Sequence, residues 1–154
     1  MAHYAKLGLD NVVLQVECMD NSTNSTEGGI EKESIGIAHL QEHSGHQTWK
    51  KCSYNTYRGV HKNGGTPFRA NYPGIGWYYN SEHDIFHQPR PTDRNGESCT
   101  SWTLNTTTGE WDAPITEPTL SDDDYQAGKF YRWDESAYQT DNTNGWFLTD
   151  PNVV

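Results

Sequence analysis

The sequence predicts a mostly β chain of the α+β class: a meander of aromatic-stapled β-hairpins with one short helix, forming a single domain over residues 1–154. Three observations carry that expectation. Short runs of β-branched and aromatic residues alternate with clusters of Gly, Pro, Asn, Asp and Ser. Aromatic residues recur nine positions apart around polar turns, at Trp77 and Phe86 and again at Trp102 and Trp111. Leu, Ile, Val and Phe number only 23 of 154 residues, so six Trp and nine Tyr, each burying about 150–250 Å² when packed, must supply much of the core. A core this thin is expected to gain from a partner surface or an oligomer.

From the N-terminus, residues 1–19 read as a β-hairpin, with Val12, Val13 and Val16 in the second strand and Asp10-Asn11 at the turn. Residues 20–29 contain no apolar side chain and read as an exposed loop. Over 30–45 the spacing of Ile30, Ile37 and Leu40 predicts the one helix, ended by Gly45 and weakened by Gly36 by about 1 kcal/mol relative to Ala. The remainder, 46–154, reads as a hairpin meander. A strand at 48–54 precedes a long ordered loop at 57–74, and three aromatic hairpins follow, separated by Pro-rich connectors at 87–96 and 112–124.

The formal charge of −10 and the scatter of only eleven Lys and Arg argue against a nucleic-acid partner. No apolar run approaches the roughly 18 residues of a membrane span, and no basic and apolar leader opens the sequence, so neither a membrane nor a signal-driven route is expected. Cys18, Cys52 and Cys99 are odd in number and lack C-x-x-C spacing, which points to a reducing compartment rather than a disulfide framework. The sequons at Asn21, Asn24 and Asn105 then read as polar loop composition.

His39, His43 and His46 are the weak candidate for a metal site, because His39 and His43 share a helix face. Leu40 stands where the metalloprotease pattern requires Glu, so solvated helix-end histidines are the preferred reading and no metal or other cofactor is expected. Asp122-Asp123-Asp124, Asp134-Glu135 and Glu31/Glu33 raise the question of a glycosidase, but acid and base need a cleft that splits their pKa values. The Asp run reads instead as a solvated acidic loop. Cys52 and Cys99 lack a nucleophile motif, and Gly64-Gly65 and Gly74-x-Gly76 lack phosphate-loop spacing. No catalytic residue is assigned and the chain is not expected to be an enzyme. Trp77, Trp102, Trp111 and Trp133 are the candidate sugar-stacking rings, weighed against core packing; Tyr54, Tyr57, Tyr72 and Tyr138 are candidates for a protein interface.

Several segments, MAHYAKL, IGIAHLQEHSG, TWKKCSYNT, RANYPGIGWYYNSEHDIF, SWTLNTTTGEWDAP and YRWDE, together resemble a family of small virion-associated structural proteins of tailed marine phages, especially cyanophages. The likeness spans most of the chain, with loops as the gaps. His39, His43 and His46 and the long insert before Trp146 depart from the family pattern. The resemblance implies a non-catalytic virion protein made in the bacterial cytoplasm, foremost a capsid decoration or cement protein on the head exterior. A tail, neck or fibre-associated component is the alternative, and a carbohydrate-binding module is a third. The implied partners are a major capsid or tail protein, a second copy of the chain, or a host surface glycan. Arg69, Asn71, Tyr72 and Trp77, in the loop ANYPGIGWYY and just before it, are the expected contact residues.

Overall fold

The computed structural model describes residues 1–153. Among the described residues, eleven short strands, all in antiparallel pairs, and a 12-residue helix give the mostly β, α+β architecture that the sequence predicts. Among the described residues no helix is long and apolar enough to cross a membrane. Contacts concentrate in two compact units: residues 1–89 with 105–110, and residues 90–104 with the chain from Trp111 onward.

Unit 1 is built on a three-stranded sheet in which β1 (Ala2–Leu7) lies between β2 (Val13–Met19) and β3 (Trp49–Cys52). The β1–β2 turn uses Asp10 and Asn11 at φ 55° and 59°, a left-handed conformation that these two residue types tolerate best after glycine. Both faces of β1 are covered, and four of its six residues are buried. Ala2 and Tyr4 point to one face with Met19 and Trp49, where Ile37 and Leu40 of α1 (Glu33–Ser44) pack on them. Ala5 and Leu7 point to the other with Val13 and Cys52, under Tyr79 and Phe86. These two rings sit opposite each other in the hairpin of β6 (Tyr78–Asn80) and β7 (Ile85–His87). A smaller hairpin, β4 (Thr56–Tyr57) with β5 (Val60–His61), rises from the segment expected to be loop. Burial of Leu7 and Phe86, both essentially inaccessible, stabilises the unit by about 1.5–3 kcal/mol each.

Unit 2 has the hairpins β8 (Thr103–Leu104) with β9 (Trp111–Asp112) and β10 (Phe130–Trp133) with β11 (Trp146–Thr149), plus the short helices α2 (Asp122–Gln126) and α3 (Glu135–Thr140). Its centre is Trp133, directly opposite Trp146 with ring centroids 5.1 Å apart, and flanked by Trp102 at 5.8 Å and Tyr138 at 5.1 Å. Beneath these rings the buried Glu135 carboxylate accepts from Trp133 Nε1, Thr100 Oγ1, Ser101 N and Oγ, and Gln139 Nε2, at 2.8–2.9 Å. The Asp93 carboxylate accepts the backbone N–H of Asn95, Glu97 and Glu135.

The structure corrects several local expectations. Residues 20–29 are not simply an exposed loop: Asn21–Asn24 form a 3-10 turn, and fully buried Asn24 donates through Nδ2 to Glu31 at 3.0 Å and to the Tyr4 hydroxyl at 3.5 Å. The helix starts at Glu33 rather than Ile30, because Glu31 pairs with Ser25 in a β-bridge and Ile30 remains exposed. It ends as expected, with Gly45 at φ 72° donating to Gln41 O at 3.0 Å. The Asp run at 122–124 is the first turn of α2, whose N-cap Ser121 accepts from Asp124 N at 3.1 Å; acidic residues there complement the helix N-terminus. Asp134 caps α3 in the same way. Neither helix shows apolar periodicity, and neither was expected from the sequence. The nine-residue staples are also displaced. Turn length sets the register so that Phe86 faces Tyr79 rather than Trp77, and Trp111 faces Leu104 rather than Trp102.

Gly36 is a packing requirement rather than a weak point of α1. A Cβ built there would collide with the hydroxyl and ring of Tyr4, which is fully buried and has no room to yield. Ala would gain about 1 kcal/mol in helix propensity, but overpacking typically costs about 1–3 kcal/mol. Gly36→Ala is therefore expected to destabilise the fold by up to about 2 kcal/mol in chemical denaturation, whereas an exposed helix glycine would show the opposite sign.

Candidate functional site

The most distinctive surface in unit 1 is a face of tyrosines at one end of the β1–β3 sheet. Register places His3 of β1 between Cys18 and Cys52, so its ring emerges from the sheet beyond the apolar core. Tyr54 and Tyr72 close on it edge-to-face, with centroids 5.2 and 5.5 Å away. Both tyrosines remain open to solvent, Tyr54 at 52% and Tyr72 at 36%, and Tyr57 in β4 is 59% exposed. Cations lie over two of these rings: Lys62 Nζ is 4.3 Å from the Tyr54 centroid and the Arg58 guanidinium 5.3 Å from that of Tyr57. Burial lowers the His3 pKa, with the neighbouring terminal amino group acting in the same direction, and burial raises that of Tyr72. At neutral pH both rings are therefore uncharged; Lys62 brings positive charge to the face, while the Arg58 guanidinium is paired with Glu110 at 2.8 Å.

A rigid frame holds this face. Buried Asn71 accepts Arg58 N through Oδ1 at 2.8 Å and donates through Nδ2 to Phe86 O and Thr108 O, each at 2.9 Å. Tyr72 N donates to Thr56 O at 2.9 Å, tying the ring-bearing loop to β4. Immediately before Asn71, Arg69 and Ala70 adopt left-handed φ angles of 51° and 60°, a conformation that costs about 1–2 kcal/mol per residue. The Arg69 side chain holds them there. Only 9% exposed, it donates to Glu33 at 2.7 and 3.1 Å, to Asp84 at 2.7 Å and to Lys51 O at 2.8 Å, and it lies 4.8 Å from the Phe68 ring centroid. The Tyr79 hydroxyl also donates to Asp84.

Burial would raise the Glu33 carboxyl, but the Arg69 hydrogen bonds and the Lys51 N–H outweigh it and hold the group below its ordinary range. Asp84 behaves likewise: burial pushes up, while Tyr79 and Arg69 pull it below the ordinary value. In unit 2 burial also opposes ionisation of Glu135, yet its hydrogen bonds from Trp133, Gln139, Ser101 and Thr100 bring it down to about 2. Burial raises the Cys52 and Cys99 thiols to about 12 and about 11, which leaves both protonated at neutral pH.

The structure divides the expected contact residues. Tyr72 lies on the face, whereas the half-buried Arg69 and the buried Asn71 are its supports, and Trp77 packs partly buried against the Val13–Phe86 cluster. Among the candidate stacking rings, Trp133 is buried in unit 2 and cannot meet a ligand; Trp102 and Trp111 are half-buried. Tyr138 packs on Trp133, while Tyr54 and Tyr57 are open. The three histidines do not converge. His39 and His43 stack with centroids 3.9 Å apart, and His46 turns away to donate through Nε2 to Leu7 O at 2.6 Å. Among the described residues no three His, Cys, Asp or Glu side chains group as a metal site. His3 was missed in the sequence; only the pairing of β1 with both neighbours brings it to the tyrosines.

Comparison with family models, with curated proteins and with solved structures gives no match.

Arg69→Met is expected to cost about 2–3 kcal/mol in urea unfolding, because the half-buried Glu33 loses the cation that compensates it and the enclosed Arg69 contacts with Asp84 and Lys51 O are lost. The pH dependence has a definite sign. Glu33, Asp84 and Glu135 all have folded values below their unfolded ones, so the stability they confer is complete above the ordinary carboxylate range and is lost as pH falls through the depressed values. Urea midpoints measured from pH 7 down to pH 2 should fall for the wild-type protein, and fall less steeply for Arg69→Met.

Proposed function

We propose that this protein is a non-catalytic structural component of a tailed-phage virion, foremost a decoration or cement protein on the head exterior, and that the His3, Tyr54, Tyr57 and Tyr72 face is its adhesive surface. The single observation that carries this reading is the tyrosine face itself. Tyr and Arg are enriched in protein interfaces and in their energetic hot spots, because they supply contact area at small conformational cost. Here the rings are already held by Asn71, Thr56 and the edge-to-face packing on His3, so little ordering entropy remains to be lost on docking.

The sequence resemblance to small virion proteins of marine phages supplies the setting, since an accessory protein must bind a repeated lattice through a preformed patch. The surrounding charge is consistent with that role: a chain at −10 is kept soluble before assembly and is drawn to basic patches, while Lys62 provides local positive charge beside the Tyr54 ring. The half-buried Glu33 and the buried Asp93 and Glu135 all accept hydrogen bonds that hold the fold, and their pKa values move away from neutrality rather than toward it.

Purified particles of a phage carrying this gene should contain the protein in fixed stoichiometry, with hundreds of copies for a head lattice. Tyr54→Ala combined with Tyr72→Ala should lower particle occupancy about tenfold or more while the isolated protein stays soluble and folded. Copies in small multiples of three, six or twelve would favour tail or neck, and absence from purified particles would overturn the proposal.

A further inference from the structure

We propose that unit 2 carries a carbohydrate subsite: the groove walled by Trp102, Trp111 and Trp146 takes a neutral pyranose ring of an oligosaccharide. This goes beyond the adhesive face of unit 1 and is independent of it. The groove has a volume of about 390 Å³, within the range of small-molecule sites, and Asp112, Thr116 and Glu117 also line it.

Its geometry is set by side chains that have other work in the fold, and is therefore preformed. Trp146 Nε1 donates to Ile115 O at 3.0 Å, which anchors the indole against the segment that follows β9. Trp102 meets Trp146 at 5.8 Å between centroids, tilted by 56°. The Arg90 guanidinium stacks 4.2 Å from the Trp111 centroid and donates to Cys99 O at 3.0 Å, which fixes that ring.

The chemistry of the lining selects the ligand class. Half-buried indoles line the groove and offer apolar surface to the C–H side of a pyranose, and the exposed side chains of Thr116 and Glu117 place acceptors at its rim. Trp102 Nε1 is buried and finds no acceptor among the described residues. The two carboxylates and the overall charge of −10 disfavour uronic or sialic acids. A proline-rich peptide could also lie on indoles, but it brings few donors to a rim made of acceptors.

The test is an array of neutral and acidic oligosaccharides probed with the full-length protein, followed by intrinsic fluorescence and indole N–H NMR titration with the best neutral ligand. The proposal expects saturable binding of a neutral glycan and a shift of the Trp102 indole N–H resonance. It also expects about tenfold weaker binding in Trp111→Ala. Glu117→Gln, at an exposed position that leaves the core untouched, should weaken binding severalfold, and an unchanged Trp133 indole resonance verifies that the unit is folded. Absence of binding to any neutral glycan overturns the proposal. So does preference for acidic glycans, capture of a polyproline peptide instead, or affinity unchanged in both variants.

Discussion

The Arg69 guanidinium is the interaction on which unit 1 depends. One planar cation joins three elements: the start of α1 through Glu33, the backbone of β3 through Lys51 O, and the β6–β7 turn through Asp84. A lysine could not replace it, because the geometry uses three donor nitrogens in a fixed plane and stacking on Phe68. The same residue adopts a left-handed backbone that turns the chain into Asn71 and Tyr72. The strain at Arg69 and Ala70 is thus tolerated because the side chain of the first residue is held on three sides, and the tyrosine face inherits its rigidity from that clamp.

Unit 2 solves the same problem with opposite charge. There the buried carboxylate of Glu135 gathers an indole N–H, two hydroxyls, an amide and a backbone N–H around one point, while Asp93 fixes the backbone of Glu135 itself. Each acid is stable as an anion because its hydrogen bonds outweigh the desolvation that would otherwise protonate it. A chain poor in Leu, Ile and Val therefore uses charged centres to organise its short strands, with aromatic rings filling the space between them. Those same rings, where they reach the surface, are what the protein has to offer a partner.

The division of labour among the rings follows position in the fold rather than residue type. Trp133 and Phe86 are enclosed, Trp102, Trp111 and Trp146 are half-buried along a groove, and Tyr54, Tyr57 and Tyr72 stand open. An aromatic count alone could not separate these classes, since each strand presents alternate residues to opposite faces and a one-residue change in register exchanges them. Arg69 and Asn71 show the same limit from the polar side. They were expected to make contacts because they lie in or just before the loop ANYPGIGWYY, and the structure gives them inward partners instead.

The sequence by itself determined what rests on local chemistry: the mostly β class, the Asp10-Asn11 turn, the Gly45 helix end and the reliance on aromatic rings, each set by conformational preference or composition over a few residues. Only the tertiary structure decided what rests on separation along the chain. It brought Glu33 to Arg69, His3 to Tyr72 and Trp102 to Trp146, and it made Gly36 obligatory by placing Tyr4 against it. Such pairs join residues tens of positions apart, and their register is fixed by turn lengths and packing that no local pattern encodes.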